Sequence, residues 1–231
     1  MFLPLFFRIV FFCLLSVFFA IPAETAKKPL FTVMLNPAGD AKNAGRMLDD
    51  SFERGITLQC CQELKKDLEA IIPGIRVVLT RFPGETLEPL QNANFSNRLD
   101  ANIYLSIHFY KETEAKPHLY TYCYQIELFN GKLPNGLFFC PFDKAYQVNY
   151  AQTLNHAQKL MQLLTSTEKE NYILHPPLTI PFKPLVGIQA PALAIEIGIK
   201  TVNCYQPFKK ACILFIHNMV NDYLATLTMH T

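Results

Sequence analysis

The chain has 231 residues, of which 50% are hydrophobic and 17% are charged. This apolar content excludes a disordered chain, and the length predicts one domain, since single domains usually span about 100–200 residues. Lys and Arg number 21 against 19 Asp and Glu, so the formal net charge is +2. Because no basic run accompanies this small charge, the sequence argues against a nucleic-acid-binding protein.

The amino terminus carries a separate apolar segment. Arg8 precedes an apolar run, Ile9–Ile21, which ends in small residues at Ala23. This pattern predicts a secretory signal peptide over residues 1–23 and an exported mature chain over residues 24–231, periplasmic or associated with the cell envelope. An uncleaved anchor is the alternative, because apolar residues also precede Arg8. No second apolar stretch approaches the roughly 20 residues that cross a bilayer, so we expect no membrane span after leader removal.

The mature chain contains six cysteines: Cys60, Cys61, Cys123, Cys140, Cys204 and Cys212. Six cysteines in an exported protein allow 15 disulfide connectivities, and the sequence does not select one. No C-x-x-C pair occurs, which argues against a thiolate zinc site or a thioredoxin-type site. We expect all six to pack as small hydrophobic residues.

Candidate strands alternate with candidate helices along the chain. The strands are expected at residues 30–35, 76–80, 103–108, 120–128 and 193–197, and the helices at 52–71, 86–99, 149–165 and 206–227. Asp49, Asp50 and Ser51 are candidate N-caps of the first helix. The alternation predicts a single α/β domain with a mostly parallel central sheet and helices on both faces. The proline-rich stretch His175–Pro184 is expected to be a rigid surface loop.

Polar side chains are expected at the carboxyl edge of this sheet, where active sites of α/β proteins form. They come from the loop Asn36–Gly45, from Glu53 early in the first helix, and from the strand residues His108 and Glu196. His and Glu donors suit a divalent metal, and a catalytic zinc needs three such ligands and one open position. A further carboxylate could take the proton of a metal-bound water.

Each of these residues also has a structural explanation. A histidine at a strand end is commonly held by hydrogen bonds alone, and Glu53 in a first helical turn is favoured by the helix dipole. Glu196 is harder to explain structurally, because it lies among apolar residues of a strand and needs a partner or a function. The remaining histidines show no clustering in the sequence: His118, His156, His175, His217 and His230.

Five sequence blocks, in the same order, resemble the zinc-dependent N-acetylmuramoyl-L-alanine amidases of bacterial cell-wall hydrolysis. They are residues 36–45 for the family's D-P-G-H-G-G-x-D-x-G, 53–54 for E-K, 74–81 for G-x-x-V-x-L-T-R, 96–110 for A-N-x-x-x-A-D-x-x-x-S-I-H-A-N, and 191–199 for P-A-x-L-x-E-I-G-F. The resemblance covers essentially the whole mature chain. It implies an amidase/phosphorylase-like fold, an amidase-like catalytic domain over residues 24–231, and peptidoglycan or a muropeptide as the substrate.

The resemblance also implies residue roles. Glu53 and His108 correspond to metal ligands, and Glu196 corresponds to the catalytic general base. The first histidine ligand of the family is replaced by Gly39, and we predict that the neighbouring Asp40 supplies an oxygen ligand if the loop shifts by one residue. A carboxylate in place of an imidazole would make the centre less positive, so hydroxide would form at higher pH and activity would fall at neutral pH. Because the first ligand is missing, Zn²⁺ is expected to bind weakly or not at all.

Two functions therefore compete. The first is an exported peptidoglycan hydrolase that cleaves the N-acetylmuramoyl-L-alanine amide by metal-activated water. The second is a catalytically inactive amidase-like module that binds cell-wall fragments or regulates a partner hydrolase, which the loss of a ligand favours. A third and weaker interpretation is the same chemistry on another amide, with residues 120–141 reshaping the substrate cleft. The preferred interpretation of this segment is that it covers an edge of the sheet.

Overall fold

The structure is a computed structural model that describes residues 30–126 and 141–229. The predicted leader, residues 24–29, the whole segment 127–140 with Cys140, and residues 230–231 with His230 lie outside the described residues. Within the described ranges, no helix is both long enough and apolar enough to cross a membrane.

The described residues form nine strands and four α-helices. The strands are β1 (Phe31–Pro37), β2 (Met47–Leu48), β3 (Ser51–Phe52), β4 (Ile75–Leu79), β5 (Ile103–Lys111), β6 (His118–Tyr124), β7 (Ile173–Leu174), β8 (Leu178–Ile180) and β9 (Ala192–Ile199). The helices are α1 (Glu53–Ile71), α2 (Pro89–Arg98), α3 (Tyr150–Thr167) and α4 (Gln206–Met229), and two 3-10 segments span Phe142–Asn149 and Lys183–Leu185.

Seven of these strands form one sheet in the order β4-β1-β5-β9-β6-β7, with β8 also paired to β6. Strands β4, β1, β5 and β9 are parallel, whereas β6 runs antiparallel to β9. The prediction of a mostly parallel sheet is therefore confirmed. The prediction that His175–Pro184 is only a loop is wrong, because Leu178–Ile180 pairs with β6 as a strand.

Helices cover both faces of the sheet, as predicted. Alternate residues of β5, from Ile103 to Phe109, pack with β1 and β9 against α1, α3 and α4 in the larger core. The opposite face holds a smaller core in which Tyr104 and Ala194 pack near Ala93 of α2 and Leu185 of the second 3-10 segment. Polar residues of the same strands, at the carboxyl edge, share this more thinly covered face because side chains alternate along a strand.

The start of α1 differs from the prediction. Asp49, Asp50 and Ser51 do not cap the helix: β2 and β3 form a short antiparallel hairpin there, with Asp49 at φ 55° in its turn. Asp tolerates this left-handed conformation, which explains why the acidic pair makes a turn rather than a cap. The N-cap is Phe52, which makes no side-chain capping bond. The hairpin brings the carbonyl of Arg46 to the N–H of Glu53 at 2.8 Å.

The expectation that the cysteines are buried holds for four of the five in the described ranges. Cys60, Cys61, Cys123 and Cys212 are buried, and burial raises the pKa of each thiol. For Cys204 the expectation is wrong, because this residue is exposed in the turn before α4. All five are free thiols.

Candidate active site

Glu53 and His108 meet at the carboxyl edge of the sheet. Glu53 is the first residue of α1, and His108 lies near the end of β5. Oε1 of Glu53 lies 3.6 Å from Nδ1 of His108 and accepts a hydrogen bond from the backbone N–H of Phe109 at 3.1 Å. Oε2 accepts one from the backbone N–H of Arg46, also at 3.1 Å. The carboxylate is therefore held by three groups, with little room to rotate.

These contacts decide the charge of Glu53. Burial alone raises the pKa of its carboxyl, but the adjacent His108 ring and the hydrogen bonds from the backbone N–H groups of Arg46 and Phe109 outweigh it, so the net pKa is lowered and the group is ionised. The Glu53 carboxylate can lie here only because residue 45 is glycine, since a Cβ built at Gly45 would lie 2.7 Å from Oε2 of Glu53. Gly45 also has φ +75°, which glycine adopts without strain.

The other ring nitrogen of His108, Nε2, contacts a network of polar side chains. Nε2 lies 2.8 Å from Oγ of Ser106, and Ser106 accepts a hydrogen bond from Nδ2 of Asn36 at 2.9 Å. Oδ1 of Asn36 in turn accepts bonds from Thr80 at 2.8 Å and Asn92 at 3.2 Å. All four supporting residues are buried, so they fix the orientation of the imidazole.

Glu196 lies beside His108. The two residues are at the same register position on the parallel strands β9 and β5, so their side chains leave the same face of the sheet. Oε1 of Glu196 forms an ion pair with Arg46 at 2.5 Å, and Oε2 accepts a hydrogen bond from the hydroxyl of Tyr122 at 2.7 Å. The Arg46 guanidinium also lies over the ring of Tyr110, 5.6 Å from its centre. Glu196 thus has the partners that a carboxylate in a strand requires.

Asp40 does not join this group. Its Oδ1 accepts hydrogen bonds from the backbone N–H groups of Lys42 at 2.8 Å and Asn43 at 2.6 Å. Although burial raises the pKa of Asp40, these bonds within its own loop lower it below the usual value. In the part of the chain that the structure describes, no three His, Cys, Asp or Glu side chains lie close enough together to hold a metal ion. In this conformation no third donor of these types joins Glu53 and His108 within the described residues.

Gly39, the position to which the sequence resemblance assigned the first ligand, lies where a side chain does not fit. A Cβ built on Gly39 would lie 2.7 Å from Cβ of Arg54, closer than side chains approach one another, and the residue has φ +74°. The loop therefore passes too close to α1 to carry a histidine at position 39 in this conformation.

Two clefts flank the site. The first, of about 630 Å³, is here called the tyrosine cleft; its walls are formed by Arg46, Met47, Tyr110, Lys111, Tyr120, Tyr122 and Glu196. The second, of about 290 Å³, is called the charged pocket; its walls include Asp40, Arg81, Glu88, His108 and Lys183. A further cleft of about 770 Å³ between β4 and α2 is lined by none of Glu53, His108 and Glu196.

A comparison of the sequence with protein families matches residues 33–203 to the family described as N-acetylmuramoyl-L-alanine amidase. The chain belongs to the N-acetylmuramoyl-L-alanine amidase family. A comparison with curated proteins gives no significant match.

Solved amidase structures share the fold. The catalytic domain of CwlV, an N-acetylmuramoyl-L-alanine amidase from Bacillus (Paenibacillus) polymyxa var. colistinus, is 20% identical, with a TM-score of 0.55 over 84% of this chain and 98% of that one. Ami1 from Mycobacterium smegmatis is 14% identical, with a TM-score of 0.60 over 83% and 97%. The CwlD amidase from Clostridioides difficile, solved in complex with the GerS lipoprotein, is 16% identical, with a TM-score of 0.52 over 85% and 99%.

Sequence analysis missed several residues of this amidase-family site. Arg46 and Tyr122, which bind Glu196, lie in a loop and on β6, and no spacing rule connects either of them with β9. The expectation that the other histidines are dispersed is wrong for two of them, since Nδ1 of His118 lies 2.8 Å from Nε2 of His175. Their separation of 57 residues concealed the pair, which forms because β6 and β7 are neighbouring strands.

Proposed function

We propose that this chain is an exported peptidoglycan hydrolase that cleaves the amide between the lactyl group of N-acetylmuramic acid and L-alanine. The observation that carries the proposal is the alignment of His108 with Glu196 on neighbouring strands, with the Glu53 carboxylate 3.6 Å from the His108 ring. Membership of the amidase family supports the substrate class. The ordered arrangement of these side chains supports catalysis, because orientation lowers the entropic part of the barrier.

Glu196 is the side chain suited to take the proton of an attacking water. It is mostly buried, with 14% of its side chain exposed, and the Tyr122 hydroxyl fixes one of its two oxygens. Burial and the neighbouring carboxylate raise the pKa of Tyr122, so this hydroxyl keeps its proton and acts as a donor. Glu53 and His108 would supply two of the three ligands of a catalytic zinc, and Asp40 would have to give up the hydrogen bonds within its loop to supply the third.

A second function, binding of cell-wall fragments without hydrolysis, is favoured by one specific observation. Oε1 of the predicted base is paired with Arg46 at 2.5 Å and Oε2 accepts from Tyr122, so both oxygens already have partners before a water arrives. In this alternative the same surface would recognise the muramoyl–alanine junction and leave the amide intact.

Export and a protein partner belong to the same proposal. The apolar leader pattern supports delivery to the periplasm or cell envelope, where peptidoglycan is found. The solved complex of the CwlD amidase with the GerS lipoprotein supports a regulatory protein partner for this chain.

The two functions are separated by incubating the purified chain with muropeptides and detecting released peptide by mass spectrometry. Reactions with added zinc and with a chelator measure metal dependence. Release by the native chain that is lost in Glu196→Gln supports hydrolysis. Retention on insoluble peptidoglycan without release supports the binding module. If the native chain neither releases peptide nor is retained on peptidoglycan, both functions are rejected.

A further inference from the structure

Three tyrosines line the tyrosine cleft on one face of the sheet. Tyr110 lies on β5, and Tyr120 and Tyr122 lie two residues apart on β6, with ring planes within 8° of each other. Glu196 pairs with Tyr120 across the antiparallel register, so the carboxylate is part of the same surface. Each ring is half-buried, which leaves part of it open to a ligand.

The hydroxyl groups of these tyrosines are held by neighbours. Tyr110 donates to Glu112 at 3.0 Å, Tyr122 donates to Glu196 at 2.7 Å, and the Tyr120 hydroxyl lies 3.3 Å from Nδ1 of His118. Because the rings are fixed before a ligand arrives, little side-chain entropy is lost on binding. A rigid aromatic wall with a guanidinium and a carboxylate suits a pyranose ring, which offers an apolar C–H face and a polar rim of hydroxyl and amide groups.

The charged pocket has a different chemistry. The Arg81 guanidinium donates to the backbone carbonyls of Ala38 at 3.1 Å and Arg54 at 2.8 Å, so it is already engaged. Lys183 also lines this pocket, and its ammonium group forms no ion pair with any residue in the described ranges. Asp40 and Glu88 line the same pocket, and the Asp40 carboxylate is occupied by N–H groups of its own loop. The unpaired Lys183 ammonium suits a ligand with a carboxylate, such as a short acidic peptide.

The two clefts share no lining residue, but neighbouring residues of the site line each of them. Glu196 lines the tyrosine cleft, and His108 lines the charged pocket. Phe182 packs between them, with ring centres 5.1 Å from Tyr122 and 5.1 Å from His108. A molecule that occupies both clefts therefore has its middle beside the His108–Glu196 pair.

We infer that the clefts divide the substrate: the tyrosine cleft binds the saccharide and the charged pocket binds the stem peptide, whose carboxylate pairs with Lys183. This inference rests on the proposed function for the identity of the two halves. It sets the direction of the substrate across β5 and β9, and it assigns Tyr120 and Lys183 as specificity-determining residues on opposite sides of the amide.

The test measures binding of two isolated fragments, without any hydrolysis. The fragments are the N-acetylglucosaminyl-N-acetylmuramic acid disaccharide and the dipeptide L-alanyl-γ-D-glutamate, titrated by calorimetry or NMR. Tyr120→Leu should weaken disaccharide binding about fivefold and leave dipeptide binding unchanged, since it removes one aromatic contact. Lys183→Met should weaken dipeptide binding about fivefold and leave disaccharide binding unchanged, since it removes one charge contact.

Matched variants control for folding and chemistry. Tyr120→Phe keeps the ring and should retain disaccharide binding, and Lys183→Arg keeps the charge and should retain dipeptide binding. The division is overturned by any of three results. Tyr120→Leu weakens only the dipeptide and Lys183→Met only the disaccharide, either variant weakens both fragments equally, or the native chain binds neither fragment. If each variant weakens only its own fragment while the native chain releases no peptide from muropeptides, hydrolysis is rejected and the division stands. If the native chain releases peptide but each variant weakens the other fragment, the division is rejected and hydrolysis stands.

Discussion

Arg46 and Glu196 form an ion pair of 2.5 Å across the candidate site, although 149 positions separate them and only the β2–β3 hairpin brings the arginine there. The Arg46 side chain is 52% exposed, so the pair is accessible to solvent and its strength is limited.

The first prediction concerns this ion pair. Arg46→Met should raise the rate of amide cleavage up to about fivefold, because an exposed pair contributes up to about 1 kcal/mol and its removal frees Glu196 to accept a proton. Initial rates of peptide release measure the effect, and Arg76→Met on the exposed side of β4 is the matched control. A rate that falls in Arg46→Met and stays constant in the control would show that the arginine assists the reaction.

The second prediction concerns the first loop. Gly39→Ala should lower the free energy of unfolding by about 1–3 kcal/mol, since it adds a close contact with Arg54 to the strain of a positive φ. Gly84→Ala is the control, because Gly84 has φ +83° but a Cβ there meets nothing within 4 Å. Urea unfolding should give the smaller loss for Gly84→Ala, and equal losses would contradict the contact with Arg54.

The third prediction concerns the support of His108. Ser106→Ala leaves the buried Nδ2 of Asn36 and Nε2 of His108 without their partner, which should cost about 1–3 kcal/mol of unfolding free energy. Ser166→Ala, on the exposed end of α3, should change it by less than about 0.5 kcal/mol. Chemical denaturation of both variants decides the outcome, and similar values would show that the polar network is not a stabilising unit.

The fourth prediction concerns acid stability. Burial, with help from Lys159 and against the effect of Asp222, lowers the pKa of His156 from 6.5 to about 4, and its Nδ1 is buried without a hydrogen-bond partner in the described structure. The unfolded chain therefore binds this proton at a higher pH than the folded chain. The free energy of unfolding should fall as the pH drops from 6.5 to about 4. His156→Leu should make this slope shallower in denaturant titrations, and an unchanged slope would rule out His156 as its source.

The fold could be predicted from the sequence because its elements are strongly periodic. The strand at Leu193–Ile197 and the helix face that includes Leu64 and Leu68 are apolar at the spacing of their element, and burial then fixes the layers. The predicted elements are wrong in two places. Asp49 forms a hairpin turn where a helix cap is predicted, and Leu178–Ile180 forms a short strand where flanking prolines predict a loop.

The site could be predicted only in part. Glu53, His108 and Glu196 lie in sequence blocks that resemble the amidase family, and the structure places His108 next to both of the others. The assignment of Asp40 as a third ligand stays a prediction without support, because N–H groups of its own loop bind its carboxylate. Such hydrogen bonds depend on the loop conformation and cannot be read from sequence spacing. Arg46 could not be foreseen, since its position depends on the hairpin geometry.

The β2–β3 hairpin gives Arg46 two independent attachments. Its backbone N–H bonds Glu53, while its guanidinium bonds Glu196. Changes of the side chain at position 46 therefore remove the second contact and preserve the first, whereas proline alone would also delete the N–H. A side-chain substitution at position 46 therefore separates two roles: it alters the surroundings of the predicted base and leaves the carboxylate at the start of α1 bonded to the same backbone N–H.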